Sequence, residues 1–237
     1  MRLYGKKPVL ERIKSDPGSI RKLYLQKKTD MSEIVKASKE AGITFDSVEK
    51  EVLVSMSDNA NTQGVMAEVD EFEYASFDEV LSECLDSKTV PVFLDGVTDP
   101  QNLGSVIRNL ACMGGFSVIL SEHRSVQVTE TVLRVACGGE NYVKIAKVMN
   151  QTTTISAIKE KGIFVAGAVV EDSEDIAKTE FKYPLAVVIG SEGKGIRPGI
   201  QKHLDIKVSL PMAGAALSYN AAVATALLCY EISRRRV

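Results

Sequence analysis

From residue 90 onward the chain carries six short, almost uninterrupted apolar runs: "VPVFLDGV", "FSVIL", "YVKIAKV", "IFVAGAVV", "PLAVVIG" and "IKVSLPM". A strand with one face in water alternates apolar and polar residues, whereas a strand covered on both faces does not. Segments with helical spacing separate the runs, at "LGSVIRNLACMG", "ETVLRVACG" and "TTISAIKEKG". Crossover helices of this kind join parallel strands and cover both faces of their sheet. A last helix, "NAAVATALLCYEISRRR", ends in Arg234, Arg235 and Arg236, which suit the negative end of its dipole. The fold class is α/β. No internal repeat or low-complexity tract interrupts it.

Ahead of this regular region, residues 1–70 read as a smaller α/β unit: "PVLERIK" and "MSEIVKASKEAG" helical, "KLYLQ" and "GVMAEV" extended. Residues 71–88 read as a polar linker followed by a short helix, so the expected division is 1–70, 71–88 and 89–237. At 237 residues and 45% hydrophobic composition the chain can bury a full core with a small domain beside it.

Composition also removes several functions. No apolar run approaches the roughly 20 residues of a membrane span, and "MRLYGKKPVLERIK" is too charged for a secretory signal, so a cytoplasmic location is expected. Cys84, Cys112, Cys137 and Cys229 form no CxxC pair and read as reduced core residues. The only histidines, His123 and His203, lack partners at metal-ligand spacing, which argues against a zinc site or a histidine-based triad. The net charge of −2 conceals an asymmetry, since residues 1–28 hold nine Lys/Arg against two Asp/Glu. Residues 68–86 contain no basic residue at all. Such runs are commonly solvated faces, and a basic arm that meets phosphates is the functional alternative.

An open parallel sheet binds ligands at the carboxyl ends of its strands. No GxGxxG follows the opening strand, and "GSEGKGIRPG" fails the phosphate-loop spacing because its lysine follows the wrong glycine. Three strand-end loops nevertheless carry unusual chemistry. In "DPQNLGSVIR", Asn102 sits where a helix N-cap belongs and Arg108 lies inside the helix. In "IGSEGKGIRP", Glu192 and Lys194 stand among three glycines, as in a flexible turn. In "LPMAGAALSYN", Ser218 or Asn220 suits a cap of the last helix, and Gly214 permits close backbone approach. Each feature has a bland structural reading by itself. All three loops follow strands, however, and a parallel sheet gathers those ends on one edge.

Together "NLGSVIR", "VVIGSEGKGI" and "VSLPMAGAALSYNAAVATALLCYE" resemble, in order and spacing, the three motifs of the SpoU/TrmH branch of the SPOUT RNA ribose 2′-O-methyltransferases. "LDGVTDPQNLG", "RSVQVTETVLRVACGGE", "LYGKKPVLE" and "TQGVMAEV" extend the resemblance over nearly the whole chain. It is nearest to the 23S rRNA guanosine type with an N-terminal L30-like RNA-binding domain. The resemblance implies a C-terminal trefoil knot, a feature that general topology rules make rare. It implies S-adenosyl-L-methionine held in the knot by Gly190, Leu210 and Tyr219, with Met212 and Gly214 nearby. It further implies Arg108, Asn102, Glu192, Ser218 and Asn220 as catalytic residues, RNA as partner, and a homodimer without metal or membrane. Transfer RNA as substrate and a non-catalytic RNA-binding homologue are the alternatives. The chain departs from the family pattern at Tyr219, where leucine is usual, at Ala222 for a small serine, and at Thr62, where histidine is usual.

Overall fold

The computed structural model describes residues 1–58, 60–215 and 217–235, so Arg236 of the last helix lies outside the described residues. The chain builds two sheets. The first contains β1 (Arg2–Tyr4), β2 (Ile20–Gln26), β3 (Asp46–Val48) and β4 (Val65–Val69), in the order β1-β4-β2-β3. Strands β1 and β2 run antiparallel to β4, and β3 runs parallel to β2. Helices α1 (Lys6–Ser15), α2 (Ser32–Glu40) and α3 (Lys50–Met56) accompany it. Strands β1 and β3 and helix α3 were not expected from the sequence. Three-residue strands are too short to establish a period, and β1 exists through its partner β4.

The remaining elements are α4 (Phe77–Leu85), β5 (Val90–Asp95), α5 (Pro100–Met113), β6 (Phe116–Ser121), α6 (Glu130–Ala136), β7 (Ile145–Val148), α7 (Gln151–Glu160), β8 (Phe164–Ala168), β9 (Glu174–Asp175), β10 (Leu185–Gly190), α8 (Pro198–Gln201), β11 (Ile206–Ser209) and α9 (Ala221–Arg235). Their strands form a seven-stranded sheet in the order β7-β6-β5-β10-β8-β11-β9. Every neighbouring pair is parallel. The apolar runs are explained by alternation within them. Val92, Leu94, Val118, Leu120, Val187 and Ile189 point to the face covered by α5, α6 and α9, while Phe93, Ile119, Ala186 and Val188 point to the face covered by α4, α7 and α8. Fully burying one such side chain stabilises the fold by about 1.5–3 kcal/mol.

The two sheets share a core. A single cluster of buried side chains runs from Leu3, Val9 and Ile13 in the first unit to Leu103, Val132 and Leu133 in the second. Residues 71–88 are tied down rather than slack, because Ala75 bridges to Ala146 and α4 buries Val80 and Cys84 against the large sheet. Of the four cysteines expected in the core, Cys84 and Cys229 are buried, but Cys112 is exposed and Cys137 half-buried. Among the described residues no helix is long and apolar enough to cross a membrane.

Candidate active site

The sheet order places β10 beside β5, although four strands separate them in sequence. Two loops that are distant in the chain therefore leave the sheet side by side. Asp95, the last residue of β5 and only 1% exposed, fastens them together. One carboxylate oxygen accepts the Arg197 backbone N–H at 2.8 Å, and the other accepts its Nε–H at 2.6 Å. Gly190 ends β10 opposite Asp95, and there the loop folds back so closely that a Cβ would lie 2.1 Å from the Gly195 carbonyl carbon. Only glycine fits that position without moving backbone.

The chain after β11 brings a third set of residues, Ser218 to Asn220, to the other two loops. Asn102 donates to Glu192 Oε1 at 2.5 Å and accepts from Asn220 Nδ2 at 2.8 Å. The Asn220 amide also reaches Glu192 Oε1 at 3.2 Å, and the Ala221 N–H donates to the same oxygen at 3.1 Å. One residue from each loop thus enters a single polar cluster. Glu192 acts as a common acceptor at the start of α9, where the helix dipole favours negative charge.

The cap of α5 differs from expectation, and that of α9 is one of the two residues expected. Asp99, not Asn102, caps α5 by accepting the Gln101 N–H, which leaves Asn102 buried at the third helical position with its side chain free for the cluster. At α9 the cap is Asn220, whose Oδ1 accepts the Ala222 N–H at 2.9 Å, and not Ser218. The sequence showed the residue types that cap, and neighbouring groups decided which of them does so.

Against this cluster lies a cavity of about 440 Å³. Gly190, Glu192, Leu210, Met212, Ser218 and Tyr219 all line it, with Ile189, Val169 and Ala221 supplying apolar wall. Asn102 and Asn220 stand just outside the lining and touch it through Glu192. Two expected residues lie elsewhere. Gly214 is not among the lining residues, and a Cβ there would meet nothing within 4 Å. Arg108 is exposed on α5, where its NH1 contacts Cys137 Sγ at 3.5 Å. Among the described residues no carboxylate forms an ion pair with it. Tyr219 donates its hydroxyl to the Pro211 carbonyl at 3.3 Å, so the larger ring braces the loop across its own ends. Thr62 is buried and accepts the Gly64 N–H, a turn-forming role.

Sequence reasoning noticed Lys194 without giving it a role and missed Asp95, Arg197, Lys207, Glu171 and Asp172; Lys194, Lys207, Glu171 and Asp172 line the cavity. An aspartate closing an apolar strand was the one available signal, in "VPVFLDG". Among the described residues no group of three or more His, Cys, Asp or Glu side chains is arranged to hold a metal ion.

Residues 89–230 match the family model described as "SpoU rRNA Methylase family", which spans both α5 and the cavity loops. The chain belongs to this family. Residues 2–75 match a second model, "RNA 2'-O ribose methyltransferase substrate binding". Among relatives, a TrmH family tRNA/rRNA methyltransferase, YacO of Bacillus subtilis, is 35% identical over 98% of this chain and 94% of its own. A TrmH family tRNA/rRNA methyltransferase of Staphylococcus haemolyticus is 36% identical over 99% and 95%. Among solved structures, an RNA methyltransferase of the TrmH family from Porphyromonas gingivalis superposes with a TM-score of 0.77 at 25% identity, over 99% of this chain and 89% of that one. The SpoU methyltransferase AviRb from Streptomyces viridochromogenes, solved in complex with AdoMet, superposes with a TM-score of 0.81 at 21% identity, over 100% and 90%. This SpoU family member is accordingly an RNA methyltransferase with a substrate-binding domain at its N-terminus.

Proposed function

We propose that the protein methylates a ribose 2′-hydroxyl in RNA, with 23S ribosomal RNA as substrate and S-adenosyl-L-methionine as methyl donor. The observation that carries this reading is the meeting of Asn102, Glu192 and Asn220 at the wall of the cavity. A non-catalytic RNA-binding homologue has no need to keep three chemically coupled polar residues from three separate loops.

The cavity fits the cofactor. Its volume lies in the range of small-molecule sites, and its wall joins aliphatic side chains such as Val169, Ile189 and Leu210 to charged ones such as Glu171, Asp172, Lys194 and Lys207, a mixture that suits an adenosine and a charged amino-acid tail. Gly190, Leu210, Met212 and Tyr219 would hold it, with Gly214 contributing through its motif alone. When bound, S-adenosyl-L-methionine supplies an electrophilic methyl group on a sulfonium. The protein's own residues align and polarise the acceptor. Asn102 and Asn220 orient the ribose, Glu192 fixes both amides and organises its hydrogen bonds, and Ser218 offers a hydroxyl from the cavity wall. Arg108 grips a phosphate of the RNA and stabilises the negative charge that develops on the ribose oxygen as its proton passes to water, because a guanidinium offers hydrogen-bond donors and no acceptor.

Arg108 stands away from the cavity of its own chain, and a homodimer brings it to the partner's edge. Val223, Leu227 and Tyr230 form an apolar stripe along α9, with 45%, 41% and 60% of their surfaces exposed, beside α5 with which α9 packs. The trefoil path implied by the sequence resemblance is supported by Asn220, which reaches both the loop after β10 and the helix after β5. A crystal structure tracing residues 210–220 tests that path. The function is tested by mapping 2′-O-methylation in ribosomal and transfer RNA from cells with and without the protein. A ribosomal site lost with the protein supports the reading, whereas a lost transfer-RNA site would change the substrate. Loss of base methylation alone would overturn the ribose assignment.

A further inference from the structure

Beyond the cavity loops, the chain holds one costly polar arrangement that the proposed chemistry does not use. Arg12 on α1 donates through NH2 to Glu140 Oε1 at 3.3 Å, joining the N-terminal unit to the turn after α6. The Arg12 side chain is 9% exposed and that of Glu140 is fully buried. Neither is fully satisfied, because Arg12 Nε and Glu140 Oε2 find no hydrogen-bond partner among the described residues. Burial also holds the Glu140 carboxyl above its ordinary pKa, against the pull of the guanidinium. A buried ion pair with orphaned atoms is a poor source of stability, and apolar residues of similar size commonly do as well or better.

The neighbours of Glu140 suggest what the pair achieves. Gly138, at a φ of 89°, packs so closely on α1 that a Cβ there would lie 2.4 Å from Glu11 Cβ. Gly139 packs on α5, where its Cβ would lie 3.1 Å from the Cα of Arg108 and 3.3 Å from the carbonyl of Ile107. Cys137 precedes them in a left-handed conformation and places its sulfur against the Arg108 guanidinium. Tyr142 follows and donates to Glu11 at 2.8 Å. Residues 137–142 are therefore wedged between the helix of the N-terminal unit and the backbone beneath Arg108.

We infer that Glu140 is a positioning residue for Arg108, and that its pairing with Arg12 makes the position of Arg108 depend on how the N-terminal unit is seated. The inference rests on the proposed role of Arg108 in transfer. RNA held by the N-terminal unit and the arginine that serves the reaction are thereby linked through one rigid turn. An apolar contact would slide, whereas an ion pair of fixed direction sets the register of the turn on α5.

Single-turnover methylation at saturating RNA and cofactor, with the full chain, tests this. Glu140→Gln should slow the chemical step about tenfold with cofactor affinity unchanged, the scale expected of a small misplacement near a reacting group. The paired replacement Arg12→Met with Glu140→Met restores an apolar, packed interface, so it remains folded and should stay as slow. Recovery of the wild-type rate in that variant would overturn the inference, because the pair would then serve folding alone. A defect seen only as a raised KM for RNA, with the saturating rate intact, would overturn it too. Glu140→Gln should cost nothing further in an Arg108→Ala background, since the two act as one unit. A full additional loss there would show that Glu140 acts independently of Arg108. Wild-type turnover by Arg108→Ala alone would instead remove the premise and leave Glu140 as a structural residue.

Discussion

Two positions on α5, one in its first turn and one in its middle, have opposite surroundings. Asn102, at its start, is 8% exposed and shares hydrogen bonds with side chains from two other loops. Arg108, six residues and about 9 Å further along the axis, is exposed and rests its guanidinium against the Cys137 thiol. Asn102 is satisfied within a single chain. Arg108 presents a charge with no carboxylate partner among the described residues, which suits the proposed contact with an RNA phosphate. Under the proposed function the contrast teaches that burial and catalytic importance separate: the enclosed Asn102 shapes the site, and the exposed Arg108 meets the substrate.

The sharpest way to break the contrast lies beside the enclosed Asn102, at the end of β10. Gly190→Val forces a side chain into the Gly195 backbone and should abolish S-adenosyl-L-methionine binding, measured by calorimetric titration, while the large sheet remains folded by circular dichroism. Undiminished affinity would move the pocket elsewhere. At the exposed position Arg108→Ala should retain cofactor affinity and lose about 10²-fold or more in transfer, the usual scale for removing a charge stabiliser. Arg108→Lys sharpens this result, because lysine keeps the charge but not the planar fork. Recovery by lysine would indicate charge alone, and continued impairment a bidentate phosphate contact.

A smaller effect is expected at Asn102. Asn102→Ala leaves Asn220 Nδ2 and Glu192 with fewer partners and should cost about 1–3 kcal/mol of stability, read from chemical denaturation. Arg108→Ala should leave stability unchanged in the same experiment, since it has little to lose.

The smallest effect lies at the far end of α9. Hydrogen bonds from Arg234 and Arg235 hold the Glu231 carboxyl at about 2, below its ordinary 4.5. A depressed carboxylate pKa contributes stability that is present above the unfolded value and is lost as pH falls through the folded one. Glu231→Gln should therefore remove this contribution near neutrality, flatten the stability profile between those two values, and leave stability unchanged at pH values below about 2. An unaltered acid profile would mean that solvent screens these surface pairs completely.

Much of this molecule was legible before any coordinates. The six apolar runs fixed a parallel sheet covered on both faces, because no solvated strand can carry such a sequence, and the loops after them were bound to share one edge. The residue types at 102, 190, 192 and 220 were visible as polar or glycine interruptions in the loops that follow strands, and Arg108 as a charge inside the helix after the first of them. Tertiary structure alone decided which of them meet. Asn102, Glu192 and Asn220 are 90 and 28 residues apart along the chain, and they touch only because β10 inserts beside β5. It also decided that Asp99 rather than Asn102 caps α5, since both can cap locally and only the distant Glu192 and Asn220 draw Asn102 inward. The Arg12–Glu140 pair, 128 residues apart, left no local trace at all. Periodicity records which face a residue turns to the core. Contacts across long stretches of chain depend on how the elements pack, and no periodicity records that.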